Sequence, residues 1–425
     1  MKVFSKKAII ALSSAVLILC TSTLVGCGLM ADDTVYAKTA EGLISSDGFY
    51  YDLYENGSAE ITGANLQTQH MIIPDTVDSH PVTSIASGAF RESVTITYLT
   101  IGANVTRIGS RAFSGCEALV CVDGGKSLTE IGDSAFSYCT ILCRFTATGH
   151  LTEISDAAFF GCSSLSVITM PPTLVSVGAQ AFFGCSLLTE MYLPSTCRSI
   201  GYGAFAECTS LSAASLGSVE AVSANAFAGC TALTSVELYK KTASIGESAF
   251  RGCTRLGSIE IPNSVSSVGC RAFENTLWLN SAEDDFVTVG QGILIRYNGT
   301  DANVMIPNNV KQISDAFSGN NEVRSVTIGG KVQKICEYAF SGCESLSRVT
   351  ISANVSEICT GAFSGCEAMT VIYLPKTLKT IGDNAFYGCK TLTSVNYAGS
   401  GGSWKKITVG SGNSVLDNVA FGKKP

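Results

Sequence analysis

Histidine is almost missing from this chain: His70, His80 and His150 are the only three in 425 residues. They stand apart along the sequence, so general acid–base chemistry and imidazole metal sites, which need convergent sets, have little to draw on. They read as surface or packing residues. Charge is sparse as well, at 15% of residues, and the 28 basic residues are scattered singly among 35 acids. A formal charge of −7 without a basic cluster argues against a nucleic-acid partner, because phosphate recognition needs Lys and Arg grouped together. No GxGxxG loop, nucleophile–base pair or carboxylate pair stands out. The acids Glu283, Asp284 and Asp285 do cluster, and read as a solvated bulge. The expectation is a chain with no catalytic residues, no metal and no cofactor.

What is abundant is apolar residues (46%) and glycine (42 residues). The first apolar segment is an address. Residues 1–7 carry Lys2, Lys6 and Lys7, residues 8–19 read AIIALSSAVLIL, and LVGC follows at 24–27. An apolar run of this length after basic residues is the core of a secretory signal. LVGC resembles a bacterial lipobox, which makes Cys27 the expected lipid-attachment site. Two alternatives are a transmembrane anchor through residues 8–26 and ordinary cleavage after VYA at 35–37. The first two tether the chain on the outer face of a membrane, because the lysines stay inside; the third releases it. Losing residues 1–26 with three lysines and no acid takes the formal charge from −7 to −10. Residues 27–45 are expected to be a polar tether.

The rest of the chain is one repeat. An Ala-Phe pair places Phe at 90, 113, 136, 159, 182, 205, 227, 250, 273, 317, 340, 363 and 386. Intervals are 23 residues, except for one of 22 and one of 44, where a copy has lost its marker. Counting from Phe as zero, Cys falls at +3, Leu at +6, aliphatics at +9, +11 and +15, Ile or Val at +18, and Gly at +19. The +9 and +11 pair alternates as a strand does, leaving +8 and +10 outward. The AFxxC segment is expected to form a short helical turn. A fixed period of this kind means stacked coils, each completing its core against its neighbours. At a strand spacing of about 4.8 Å, roughly 14 coils extend on the order of 65 Å.

The 23-residue period and its IGxxAFxxC signature, as in LTSVELYKKTASIGESAFRGCTRL at 233–256, resemble the BspA-type leucine-rich repeats of bacterial surface lipoproteins. The resemblance covers residues 46 to about 421. It implies an α/β repeat fold: a curved, right-handed solenoid with a parallel concave sheet, short helical turns and caps at both ends. Residues 46–90 are expected to be the N-terminal cap and first coil, with a hairpin turning at Asn56-Gly57. Residues 91–394 would be the solenoid, with a degenerate double unit at about 274–317, and residues 395–425 the C-terminal cap. Trp278 and Trp404 read as packing residues.

Ten cysteines occupy +3: Cys116, Cys139, Cys162, Cys185, Cys208, Cys230, Cys253, Cys343, Cys366 and Cys389. Elsewhere Ser93, Thr276 and Asn320 take the position. Small polar substitutes point to a buried site whose donor reaches a neighbouring backbone group. A single column does not converge on a metal, and pairing it into disulfides would need a two-coil rhythm that is absent. The column is read as a structural ladder of free thiols. Cys336 and Cys359 sit at the same place in adjacent coils, and Cys121 and Cys143 nearly so; their redox state stays open.

The outward strand columns are the candidate binding surface. Glu190, Tyr192, Glu237 and Glu260, with Tyr373 further on, suggest recognition of a protein partner of basic character. The resemblance implies a surface protein mediating adhesion or recognition. The alternative is a structural spacer or envelope-organising lipoprotein without a ligand.

Overall fold

The computed structural model describes residues 36–422, apart from 67, 147–148, 353 and 418. The signal segment, Cys27 and the first part of the tether lie outside the described residues.

The described chain is a leucine-rich repeat solenoid of about 16 parallel-strand turns with very little helix. Each coil contributes two short strands. One spans +8 to about +10, as in Tyr98–Thr100, Cys121–Asp123 and Arg144–Thr146, paired in register with parallel neighbours. The other spans +17 and +18, as in Arg107–Ile108, Glu130–Ile131 and Glu153–Ile154. The expectation from sequence included only the first. Ile or Val at +18 packs into the core, and its backbone also pairs. A two-residue strand has too little length to show an alternating pattern, so periodicity does not reveal it.

The AFxxC segment is not the helical turn that was expected. Its N–H groups alternate between two sets of partners. Those of Ala112, Ser114 and Cys116 close turns onto Gly109, Arg111 and Phe113, each at 3.2 Å. Those of Arg111, Phe113 and Gly115 instead reach the next coil, donating to the carbonyls of Asp133, Ala135 and Ser137 at 2.9, 2.8 and 2.7 Å. A helix would spend every N–H within the segment. Here the backbone turns left-handed at −2 and +2 (Arg111 φ 57°, Gly115 φ 73°), which swings every second N–H toward the neighbour. This third line of inter-coil bonds is the rung of the solenoid.

Side chains stack along the same axis. Phe90 to Phe273 form a column of nine buried rings, with neighbouring centroids 5.2 to 5.6 Å apart and nearly parallel. Gly at +19 admits the preceding coil: a Cβ on Gly201 would lie 2.3 Å from the Ala179 nitrogen.

Both ladders break within residues 274–317. Helix Leu277–Asn280 stands where a strand would continue from Ser258–Ile259, capped by Thr276, whose hydroxyl accepts from Leu279 N–H at 3.2 Å. An antiparallel hairpin, Phe286–Val289 with Ile293–Tyr297, then restarts the second ladder. Tyr297 takes the missing Phe position: its ring lies 4.9 Å from Phe317, and its N–H donates to the Ala316 carbonyl as a marker Phe does. Each ladder has one further break: the first between Val167–Ile168 and Glu190–Tyr192, the second between Ser199–Ile200 and Ala221–Val222, in the single 22-residue coil.

At the N-terminal end Phe49–Tyr54 and Ala59–Ala64 form a hairpin whose turn is closed by Gly57 N–H on the Tyr54 carbonyl at 2.9 Å. Lys38–Ile44, expected within the tether, is instead a third antiparallel strand. Lys38 holds it in place by an ion pair of 2.9 Å to the buried Asp52. At the other end Trp404 packs edge-on against Tyr397, 5.1 Å between centroids.

Candidate functional site

The strand face at the middle of the molecule is assembled from Glu190–Tyr192, Ala213–Ser215, Ser235–Glu237 and Ser258–Ile259. Alternation buries Met191, Ala214, Val236 and Ile259 and turns the flanking residues outward. Registration places Tyr192, Ser215 and Glu237 side by side on successive strands, with Glu190, Ala213 and Ser235 in the parallel column. Glu260 follows directly after Ile259, the partner of Val236. Sequence columns and three-dimensional columns therefore coincide for Glu190, Tyr192, Glu237 and Glu260, all exposed.

Tyr373 does not join them. It lies half-buried in Val371–Leu374, between Thr350 and Asn396, beyond the interruption that splits the strand ladder. Column position alone made it look equivalent.

The site is electrostatically one-sided. Among the described residues no Lys or Arg forms an ion pair with Glu190, Glu237 or Glu260. Ser215 Oγ donates to Glu237 Oε2 at 3.0 Å, and the charge of Glu190 pushes the Tyr192 phenol upward. Glu237 and Glu260 lie on neighbouring strands and repel each other, so their placement is unfavourable for the isolated fold. Tyr192 is 57% exposed and offers an aromatic face with a polar tip beside them.

A second polar group, in the separate strand sheet nearer the N-terminus, was not anticipated as a unit. Arg144 lays its guanidinium on Cys121, with Nε and Nη2 at 3.2 and 3.1 Å from Sγ, and reaches Asp123 at 3.6 Å. Column positions +8 and +10 place all three on neighbouring strands. The signal was present in the spacing, but a Cys off the ladder has no motif to mark it.

The ten column cysteines are buried free thiols. Each Sγ donates to the carbonyl of the marker Phe one coil back, at 2.9 to 3.3 Å. Burial pushes the thiols of Cys162, Cys208 and Cys253 up to about 12. Thr276, one of the substitutes, turns its hydroxyl to its own Phe273 carbonyl at 2.8 Å instead. Cys121, Cys143, Cys336 and Cys359 are also free thiols. Among the described residues no group of three or more His, Cys, Asp or Glu is placed to hold a metal ion, and no helix is long and apolar enough to cross a membrane.

Residues 83–212, 176–285 and 297–411 match the BspA type leucine rich repeat region, a family described by six repeat copies. The chain belongs to this family. Several solved structures match it over most of its length. A leucine-rich repeat protein from Bacteroides ovatus is 26% identical over 88% of this chain and 93% of its own, with a TM-score of 0.48. A leucine rich cell surface protein from Faecalibacterium prausnitzii is 24% identical over 88% and 97%, TM-score 0.39. The pneumococcal vaccine antigen PcpA is 17% identical over 91% and 89%, TM-score 0.32. No curated protein matches the chain. BspA-type repeats are typically non-catalytic, and the family is consistent with binding and adhesion.

Proposed function

We propose that this BspA-type protein is a lipid-anchored surface module that recognises a protein of basic character through the strand face around Glu190, Tyr192, Glu237 and Glu260. The observation that carries the reading is a set of acids without ion-pair partners on one strand face: Glu237 beside Glu260 on adjoining strands, and Glu190 with the exposed Tyr192 two strands away. A fold gains nothing from like charges in register, whereas a basic partner would neutralise them and stack on the ring. Repeat proteins commonly use such extended faces for partners. Anchoring through Cys27 rests on the sequence alone, and the surface location is supported by the family's cell-surface members.

The test is capture from host matrix proteins and neighbouring cell surfaces on immobilised mature protein. Changing Glu190, Tyr192, Glu237 and Glu260 together to Ser is expected to release the captured partner. A partner that stays bound as before shows that this face is not the one used, and no capture at any salt concentration favours the spacer reading. For the anchor, labelled lipid is expected on the wild-type chain and not on Cys27→Ala.

A further inference from the structure

The interruption of the repeat leaves a notch whose walls carry unpaired main-chain groups. Between regular coils, the rung N–H groups at −2, 0 and +2 donate to carbonyls of the next coil, as Arg111, Phe113 and Gly115 do. In the degenerate unit the chain takes a short cut. Only two residues separate Leu294, paired with Ile313, from Tyr297, whereas four separate Ile131 from Phe136. The outward spiral cannot form in two residues. Ile295, Arg296 and Tyr297 instead floor a cavity of about 420 Å³ between residues 271–275 on one side and 315–320 on the other.

Three side chains from the far wall bridge the inner part of the gap. Gln312 Nε2 donates to the Ser266 carbonyl at 2.9 Å, Ser314 Oγ to that of Val268 at 3.2 Å, and the Asp315 carboxylate accepts the Arg271 N–H at 2.6 Å. Beyond Asp315 the bridging stops. The N–H groups of Phe273 and Asn275, which are the 0 and +2 rung donors, meet no acceptor among the described residues, and the Ser318 carbonyl meets no donor. The end of the solenoid is built differently. There the equivalent N–H, on Phe386, donates to Asn413 Oδ1 at 3.0 Å, while Asn413 Nδ2 binds the Gly382 and Gly410 carbonyls at 2.9 Å. The same rung is closed by a buried Asn at the terminus and left open at the interruption.

We propose that the notch docks a short stretch of a partner protein's main chain, which places its carbonyls on the Phe273 and Asn275 N–H groups and an N–H on the Ser318 carbonyl. A gap one coil wide accommodates one main chain, with neighbours about 4.8 Å to either side, and donor and acceptor walls are what strand addition uses. Arg271 and Arg296 balance Glu274 and Asp315 around the cavity, so a neutral peptide backbone suits it better than an ion. The walls carry Ala272 and Ala316 at −1, which calls for small side chains on the occupant. This edge is separate from the acidic strand face, and its test stands independently.

The experiment titrates the full isotope-labelled chain with the peptide acetyl-Gly-Ala-Ser-Gly-Ala-amide and follows backbone amide signals. The Phe273 and Asn275 amides are expected to shift saturably and to exchange with solvent at least about tenfold more slowly when bound, in proportion to the bound population. Ser318→Phe fills the notch and is expected to abolish both effects. It keeps the fold, because +1 of the rung already carries Phe160 and Phe183, stacked at 4.8 Å. No saturable shift up to millimolar peptide, equal shifts in Ser318→Phe, or acetate acting as strongly as the peptide would each overturn the proposal.

Discussion

The Cys208 thiol donates to the main-chain carbonyl of Phe182, 3.1 Å away in the preceding coil. It thereby ties the end of one rung to the ring-bearing residue of the last. Cys208→Ala removes the donor with little change in volume and is expected to cost about 1 kcal/mol, the net worth of a neutral hydrogen bond. Cys208→Ser keeps a donor and is expected to retain part of it. Urea midpoints of the two variants measure the difference; a midpoint for Ala equal to wild type would show the bond to be energetically silent.

The same thiols make the fold sensitive to alkali. A thiol of ordinary value 9.0 that burial raises to about 12 stays protonated in the folded chain while the unfolded chain ionises. The unfolded state then binds fewer protons, so stability falls with rising pH. The contribution of Cys162, Cys208 and Cys253 is complete below pH 9.0 and is lost as pH climbs toward about 12. Denaturation midpoints measured from pH 7 to 11 are expected to be flat and then decline, more gently in a triple Cys→Ala variant.

Close approach of coils predicts a contrast between two glycines. Gly201→Ala puts a Cβ 2.3 Å from the Ala179 nitrogen, with backbone on both sides, and is expected to destabilise by about 1–3 kcal/mol. Gly330→Ala meets nothing within 4 Å and is expected to stay within about 0.5 kcal/mol. Thermal melts of the pair check this directly.

Tyr297 joins the second ring column, and its removal should act locally. Tyr297→Ala is expected to cost about 3–5 kcal/mol, as for a buried aromatic, while Tyr297→Phe is expected to be tolerated. Because each coil leans chiefly on its neighbours, hydrogen exchange should speed up around Phe317 and Phe340 before it does near Phe113. Uniform acceleration along the chain would mean that the two core segments unfold as one.

The acidic face predicts the opposite energetics. Changing Glu190, Glu237 and Glu260 to Gln is expected to leave stability unchanged or slightly improved, since repulsion between Glu237 and Glu260 on neighbouring strands is relieved. A loss of more than about 1 kcal/mol by urea denaturation would assign these residues a structural role.

Much of the architecture was legible in one period. The 23-residue spacing of Phe113, Phe136 and their equivalents, with Leu at +6 and aliphatics at +9 and +11, was enough for a stacked parallel coil and for the outward placement of Glu190, Tyr192 and Glu237. Side chains repeat wherever the backbone repeats, so periodic chemistry survives in the sequence. The +17/+18 ladder and the rung were not legible. Their bonds run between main-chain groups, which carry no residue identity, and Arg111, Ser134 and Ala157 show that the left-handed position accepts many side chains.

The sequence by itself determined the coil and its repetition, because only one register buries Phe, Leu and Val in every copy at once. The tertiary structure decided what happens where repetition fails. Tyr297 replaces a Phe out of step, Asp315 answers an N–H 44 residues away, and Tyr373 falls on the far side of the break from Glu190. Those relations depend on the path of an irregular chain between two regular stacks, and contacts across it have no period to announce them.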